Sequence, residues 1–155
     1  LVYIAFKILH VFAVVIFVGN LITGILWKLH ADQTKDPAII RHTVAGLIRA
    51  DRWFTIPGIL LILIGGFGAA VVGGLPFVRT RWILAGIVLF TISGIAYMAR
   101  VVPLQRQMLG VARTGVETGT LDWDKYGALT RSWNLWGTIA LVAPILALVA
   151  MIAKP

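Results

Sequence analysis

Cysteine is absent from the sequence, and acidic residues are few: 6 Asp and Glu stand against 14 Lys and Arg. Without cysteine the chain has no disulfide framework, no thiolate metal site, no iron–sulfur cluster and no cysteine nucleophile. Charged residues make up only 13% of the 155 residues, whereas a soluble domain carries about 25%. Hydrophobic residues reach 59%, and the mean hydropathy is +0.93. This composition excludes a soluble globular domain, a disordered chain and a collagen-like chain.

Four stretches contain no Asp, Glu, Lys or Arg and are about as long as a membrane-spanning helix: Ile8–Trp27, Trp53–Val78, Trp82–Ala99 and Ser132–Ala153. A helix needs roughly 20 apolar residues to cross a hydrocarbon core of ~30 Å. Because no water is present there, a spanning segment must satisfy its own backbone hydrogen bonds, as a helix does. The sequence therefore predicts an all-α, integral membrane four-helix bundle in one domain, residues 1–155, with helices at about 3–28, 53–77, 81–103 and 131–153.

Lys and Arg are distributed unevenly over the three connections. The first (Lys28–Arg52) and the third (Arg100–Arg131) carry five each, and the second carries only Arg79 and Arg81. Basic loops stay in the cytoplasm. We therefore expect a multi-pass protein of the bacterial inner membrane with both termini outside. Anionic lipids of the cytoplasmic leaflet are the expected contacts of the basic connections, and nucleic acid is not an expected partner.

The two basic connections carry helix signals of their own. Asp36 followed by Pro37 is typical of a helix start, and apolar residues recur behind it on one side of a helix: Ile39, Ile40, Val44, Leu47 and Ile48. This pattern predicts a short amphipathic helix that lies on the inner membrane surface. In the third connection, a stripe of Leu104, Met108 and Val111 continues helix three. Thr114–Thr120 is expected to be the turn, and Asp122 to cap the run into helix four.

His10 is the one side chain well inside a predicted span that ionises near neutral pH, and such residues are rare and costly in a membrane. On a helical wheel it shares a face with Phe6, Ala13 and Phe17. That mixed face points into the bundle. A packing role remains open, in which His10 bonds across the bundle to Ser93 or Tyr97.

Residues around His10 match the needs of a b-type haem. The imidazole would be the axial metal ligand, and the cations Lys7, Arg79 and Arg81 would pair with the propionates. Small residues of helix two, Gly66 and Ala69 among them, would leave room for a flat macrocycle. The alternatives are purely structural: Arg79 and Arg81 anchor the chain at the membrane surface, and the glycines allow close helix packing. No second axial ligand is evident, because His30 and His42 belong to a connection. A haem would be five-coordinate or would take a ligand from another chain.

The residues that other kinds of functional site require are missing from the sequence. No acidic residue is expected inside any span, so a proton relay or a carboxylate metal site is not predicted. The sequence offers no nucleophile–base pair and no phosphate-binding loop of the Walker type, which favours a protein that is not an enzyme.

The segments "KILHVFAVVIFVGNLITGILWKLHAD", "LIRADRWFTIPGILLIL" and "VPLQRQM" resemble a bacterial family described only as predicted integral membrane protein, domain of unknown function (DUF) 2269. The resemblance covers nearly the whole chain and implies a membrane fold. More distantly, the lysine and histidine early in helix one are similar to those of J-type protoporphyrinogen oxidases and copper-resistance D-type membrane proteins. In the oxidase family that histidine is tied to haem and activity, and it corresponds here to His10. A lysine of a later helix in that family corresponds to Arg81.

The sequence is therefore consistent with three functions. The first is a membrane protein with a pocket for haem b or a related tetrapyrrole around His10, with a redox-linked role as one option. The second is a non-catalytic, accessory subunit of a larger membrane complex or a homo-oligomer. The third is an enzyme similar to protoporphyrinogen oxidase.

Overall fold

The helices of the structure are longer than the apolar stretches that predicted them. The computed structural model describes residues 1–154 and contains four long helices: α1 (Val2–Thr34), α2 (Pro37–Val72), α3 (Arg81–Thr118) and α4 (Trp123–Ala153). Each is long and apolar enough to cross a membrane, so the predicted all-α, four-helix membrane fold is confirmed. A helix of 33 residues such as α1 is roughly 50 Å long, well beyond a hydrocarbon core of ~30 Å.

The two basic connections lie at one end of the bundle, which we call the base. The opposite end, with residues 73–80 and both ends of the described chain, we call the top. At the base, α2 begins at the predicted cap, where the carboxylate of Asp36 accepts from the backbone nitrogen of Ala38 at 2.7 Å. Asp122 caps α4 in the same way, accepting from the nitrogen of Lys125 at 3.0 Å. Both predicted caps are confirmed.

The expected surface helix is instead the first part of α2. Residues Pro37–Ala50 are helical and run on through Asp51–Thr55 into Ile56–Val72 without a break. Ile40 and Val44 are completely buried, and this part of α2 packs against the second half of α3. The amphipathic helix predicted here is therefore present, but its apolar stripe packs on α3 rather than on the membrane surface.

The predicted turn in the third connection is also shorter than expected. Helix α3 continues to Thr118, so most of Thr114–Thr120 is helical. The helix ends at Gly119, whose φ of 78° lies in the left-handed region that glycine adopts without strain.

The four helices associate in two pairs, α1 with the apolar half of α2 and α4 with the apolar half of α3. The base holds the pairs together, since α2 and α3 pack on each other there. The larger cluster of buried apolar residues lies in the base half and includes Ile40, Val44, Tyr97, Met108 and Trp133.

Helices α2 and α3 each contain one π-helical turn, Asp51–Thr55 and Tyr97–Val101. A proline stands two residues after each turn, Pro57 and Pro103. A π turn adds one residue to a helical turn and rotates the side chains that follow, and such turns are frequently found at functional sites. The two turns mark the region in which the bundle carries its polar side chains.

Candidate functional site

His10 lies in the top half, and its ring is held by α2. Nδ1 of His10 is 2.8 Å from the carbonyl oxygen of Ile62. A carbonyl only accepts, so Nδ1 carries the proton and donates. Nε2 then has a free lone pair, and it makes no hydrogen bond to any of residues 1–154. Neither alternative partner bonds to the ring: the Ser93 hydroxyl donates to the carbonyl of Ala140 at 2.6 Å, and the Tyr97 hydroxyl has no hydrogen-bond partner among residues 1–154.

The glycines of α2 bring that helix into close contact with α1. A Cβ added at Gly65 would lie 2.7 Å from the backbone nitrogen of His10, and one at Gly66 would lie 3.0 Å from Nδ1 of its ring. A Cβ at Gly68 would meet the ring of Phe6 at 2.5 Å. Gly66 therefore gives the imidazole a place to lie, and the neighbouring glycines serve the helix pairing. Ala69 is half-buried on the same helix.

The three predicted cations all lie at the top and are exposed. Lys7 stands about one turn above His10 on α1, Arg81 begins α3, and Arg79 precedes it. None of the three forms an ion pair with another described residue. The structure thus brings His10 and Lys7 together on one helix and leaves the arginines on the segment that leads into α3. His30 and His42 are exposed in the base half.

A second polar site, which sequence reasoning missed, surrounds Asp51 in the base half. One carboxylate oxygen, Oδ1, accepts from the hydroxyl of Thr55 at 2.7 Å and from Nδ2 of Asn20 at 3.1 Å. The other, Oδ2, accepts from Nε2 of Gln105 at 2.9 Å. The amide of Asn20 also donates to Thr55 at 2.8 Å. Helices α1, α2 and α3 therefore all bond to one carboxylate. We call Asn20, Asp51, Thr55, Tyr97, Gln105 and Trp133 the polar centre.

A small cavity lies at the polar centre, and two hydrogen-bond donors that line it have no partner among the described residues. The cavity has a volume of about 30 Å³, and Asp51, Tyr97, Gln105 and Trp133 are among its lining residues. The Tyr97 hydroxyl lies near Asp51 and Thr55. Neither that hydroxyl nor Nε1 of Trp133 has a hydrogen-bond partner among residues 1–154. Tyr97 is 2% and Trp133 4% exposed. Buried donors of this kind are rare in native structures and call for an explanation.

A buried ion pair adjoins the polar centre on the side of the base. Nζ of Lys28 lies 2.6 Å from Oδ2 of Asp32 and also donates to the hydroxyl of Thr130 at 3.2 Å. The hydroxyl of Tyr126 donates to the other oxygen of Asp32 at 2.7 Å. Lys28 further lies 5.2 Å from the ring centre of Trp133. This second cluster is satisfied by its own members, and it joins α1 to α4.

Sequence analysis did not identify Asp51 as a buried residue of the bundle. Asp51 was placed in a basic connection because Arg49 and Arg52 flank it, but α2 continues through it and its partner Asn20 lies well inside the apolar stretch of α1. One signal was available. Asp51 and Thr55 are four residues apart, which places them on one face of a helix, and no Pro or Gly separates them.

The family model described as predicted integral membrane protein (DUF2269) matches residues 4–155. No curated protein and no solved structure shows significant similarity to the chain.

Proposed function

The chain belongs to the DUF2269 family of predicted integral membrane proteins, and we propose that this membrane protein binds haem b or a related tetrapyrrole through Nε2 of His10. The observation that carries the proposal is the bond from Nδ1 to the carbonyl of Ile62. Histidines that ligate a metal commonly donate the other ring proton to a carbonyl, which fixes the tautomer and the ring orientation. His10 is half-buried, and Nε2 is not among the enclosed atoms that lack a partner, so a ligand from outside the chain can reach it.

The residues fit the role of the ligand and part of the role of the charge partners. His10 would supply the nitrogen that binds the iron, and Lys7, on the same helix, would pair with a propionate. Arg79 and Arg81 lie at the same end of the bundle and form no ion pair among the described residues. The third role does not fit, because α1 occupies the glycine face of α2 and leaves no slot for a macrocycle between these two helices. Gly66 instead holds the imidazole in place. When bound, haem would supply one-electron redox chemistry.

A second candidate function is that of a non-catalytic subunit of a larger membrane complex. The same free Nε2 favours it, since a donor from a helix of a partner or of a second copy would satisfy the lone pair equally well. In both candidates we propose an inner-membrane protein with the base in the cytoplasm, where exposed arginines such as Arg41, Arg49 and Arg52 contact anionic lipids.

Titration of haem into the full chain in lipid nanodiscs tests the proposal. We expect the wild type to develop a Soret band that saturates at one haem per chain. His10→Leu should abolish this band, and the matched variants His30→Leu and His42→Leu should retain it, because both residues are exposed in the base half. Lys7→Ala and Arg81→Ala should weaken binding several-fold without abolishing it. Equal haem binding by His10→Leu and wild type would contradict the proposal.

A further inference from the structure

We propose that the polar centre is a hydrated proton-binding site, in which Asp51 takes up and releases a proton and ordered water fills the cavity beside it. The proposal is independent of the tetrapyrrole at His10, which lies in the other half of the bundle. It rests on the charge balance around Asp51 and on the two unused donors that line the cavity.

The carboxylate of Asp51 has no cation in contact with it. Its three hydrogen-bond donors, on Asn20, Thr55 and Gln105, are all neutral. Asp51 itself is 9% exposed and Thr55 is completely buried. An uncompensated charge is expensive inside a membrane protein, and residues that carry one are functional by default. The site therefore favours the binding of a proton or a small cation beside the carboxylate of Asp51.

The charged and titratable groups of the surrounding helices do not supply that charge. On α1 the nearest cation along the helix, Lys28, is bonded to Asp32. On α2, Arg49 and Arg52 are exposed. On α3, Tyr97 is the titratable group beside Asp51, and the guanidinium of Arg100 lies against the ring of Trp136, 5.2 Å from its centre. On α4, no charged residue occurs between Arg131, which is exposed, and Lys154.

The unused donors favour water and a proton over a metal cation. The indole N–H of Trp133 can only donate, so it repels a cation but binds the oxygen of a water. The cavity of about 30 Å³ has room for roughly one or two waters. Such a water accepts from Trp133 and Tyr97 and donates to Asp51, which satisfies both groups that the protein leaves without a partner.

The proton has a defined place on the carboxylate. Oδ1 already accepts two hydrogen bonds, and Oδ2 accepts one. A hydronium ion in the cavity transfers its proton to the free lone pair of Oδ2, which leaves a neutral carboxylic acid and a neutral water. The reverse step restores the carboxylate and returns the proton to water.

Infrared difference spectroscopy of the full chain in nanodiscs, recorded during a pH titration, tests the proposal. We expect a carboxylic acid C=O band that appears on acidification, is missing in Asp51→Asn and is retained in Asp32→Asn. Trp133→Phe and Tyr97→Phe each remove one donor to the water. Both should move the band to higher frequency, because a C=O group that accepts weaker hydrogen bonds is stiffer. Trp136→Phe, a matched change outside the polar centre, should leave the band unchanged.

Three results would overturn the proposal. The first is a wild-type spectrum without an Asp51 band at any pH. The second is thermal stabilisation by sodium chloride over choline chloride that disappears in Asp51→Asn, since the site would then hold a cation. The third is a band that neither Trp133→Phe nor Tyr97→Phe moves, which would remove the water from the site. If Asp51→Asn fails to fold, retention of the band in Asp32→Asn together with its shift in the two phenylalanine variants still assigns it to the polar centre.

Discussion

Lys28 is a charged side chain that the bundle buries almost completely, with 1% of its surface exposed. We expect Lys28→Met to lower the free energy of unfolding by roughly 3 kcal/mol, because loss of one partner leaves the carboxylate of Asp32 without its counter-charge. Denaturant unfolding in mild detergent measures the change. Lys125→Met, at an exposed lysine of the same end, should have little effect.

The double variant Lys28→Met, Asp32→Leu distinguishes the contribution of the ion pair to stability from that of the surrounding packing. It removes both charges, so it should recover a large part of the stability that Lys28→Met loses. If Lys28→Met were as stable as Lys125→Met, Lys28 would not be buried as an ion pair.

Single residues also mark the limit of prediction from sequence. His10 stood out because one ionisable group interrupts an otherwise apolar stretch. Asp51 did not, because its neighbours Arg49 and Arg52 made it look like part of a solvated connection. Its burial depends on Asn20 and Gln105, which are distant in the chain, and on a π turn that no local pattern announces. The polar centre is therefore a tertiary feature.

Gly65 in α2 controls how closely α1 approaches. A Cβ at this position would lie 2.7 Å from a backbone atom of His10, and a backbone atom cannot move aside as a flexible side chain does. We expect Gly65→Ala to push the two helices apart and to lower the melting temperature by several degrees. Gly94→Ala, where a Cβ meets nothing within 4 Å, is the matched control and should be neutral or stabilising. A melting temperature equal for both variants would mean that α1 and α2 do not pack as described.

Ile40 holds the base half of α2 on α3. It is fully buried, whereas its neighbour Ile39 is 43% exposed. Ile40→Asp places a charge in that contact, so it should loosen this part of α2 and speed proteolytic cleavage between residues 37 and 50. Ile39→Asp should leave cleavage close to the wild-type rate. Rapid cleavage of the wild type itself would show that this segment is not docked.

The ends of the helices were predictable where local chemistry determines them. Asp36 before Pro37 and Asp122 before α4 act through their own backbone neighbours, and both caps were predicted. The extent of α2 and α3 was not, because an apolar stretch indicates only the part of a helix that suits lipid. Both helices continue past these stretches because residues such as Ile40 on α2 and Met108 on α3 are buried in one apolar cluster.

The orientation of the whole molecule is a prediction from charge. The connections at the base carry five Lys and Arg each, and the connection at the top carries two, so the base belongs in the cytoplasm. A reporter enzyme that works only outside the cytoplasm should be active when fused after the last residue. A reporter fused between residues 119 and 122 should be inactive, and the reverse pattern would contradict the orientation.

The visible absorption spectrum of the intact protein, purified from haem-replete cells, is the decisive test of haem binding at His10. We expect a Soret band in the wild type and none in His10→Leu, with both proteins inserted in the membrane to the same level. Loss of the one hydrogen bond from His10 to Ile62 costs only about 0.6 kcal/mol in a bilayer, so the variant should remain folded. A colourless wild type with an equally stable His10→Leu would contradict haem binding and favour the subunit role.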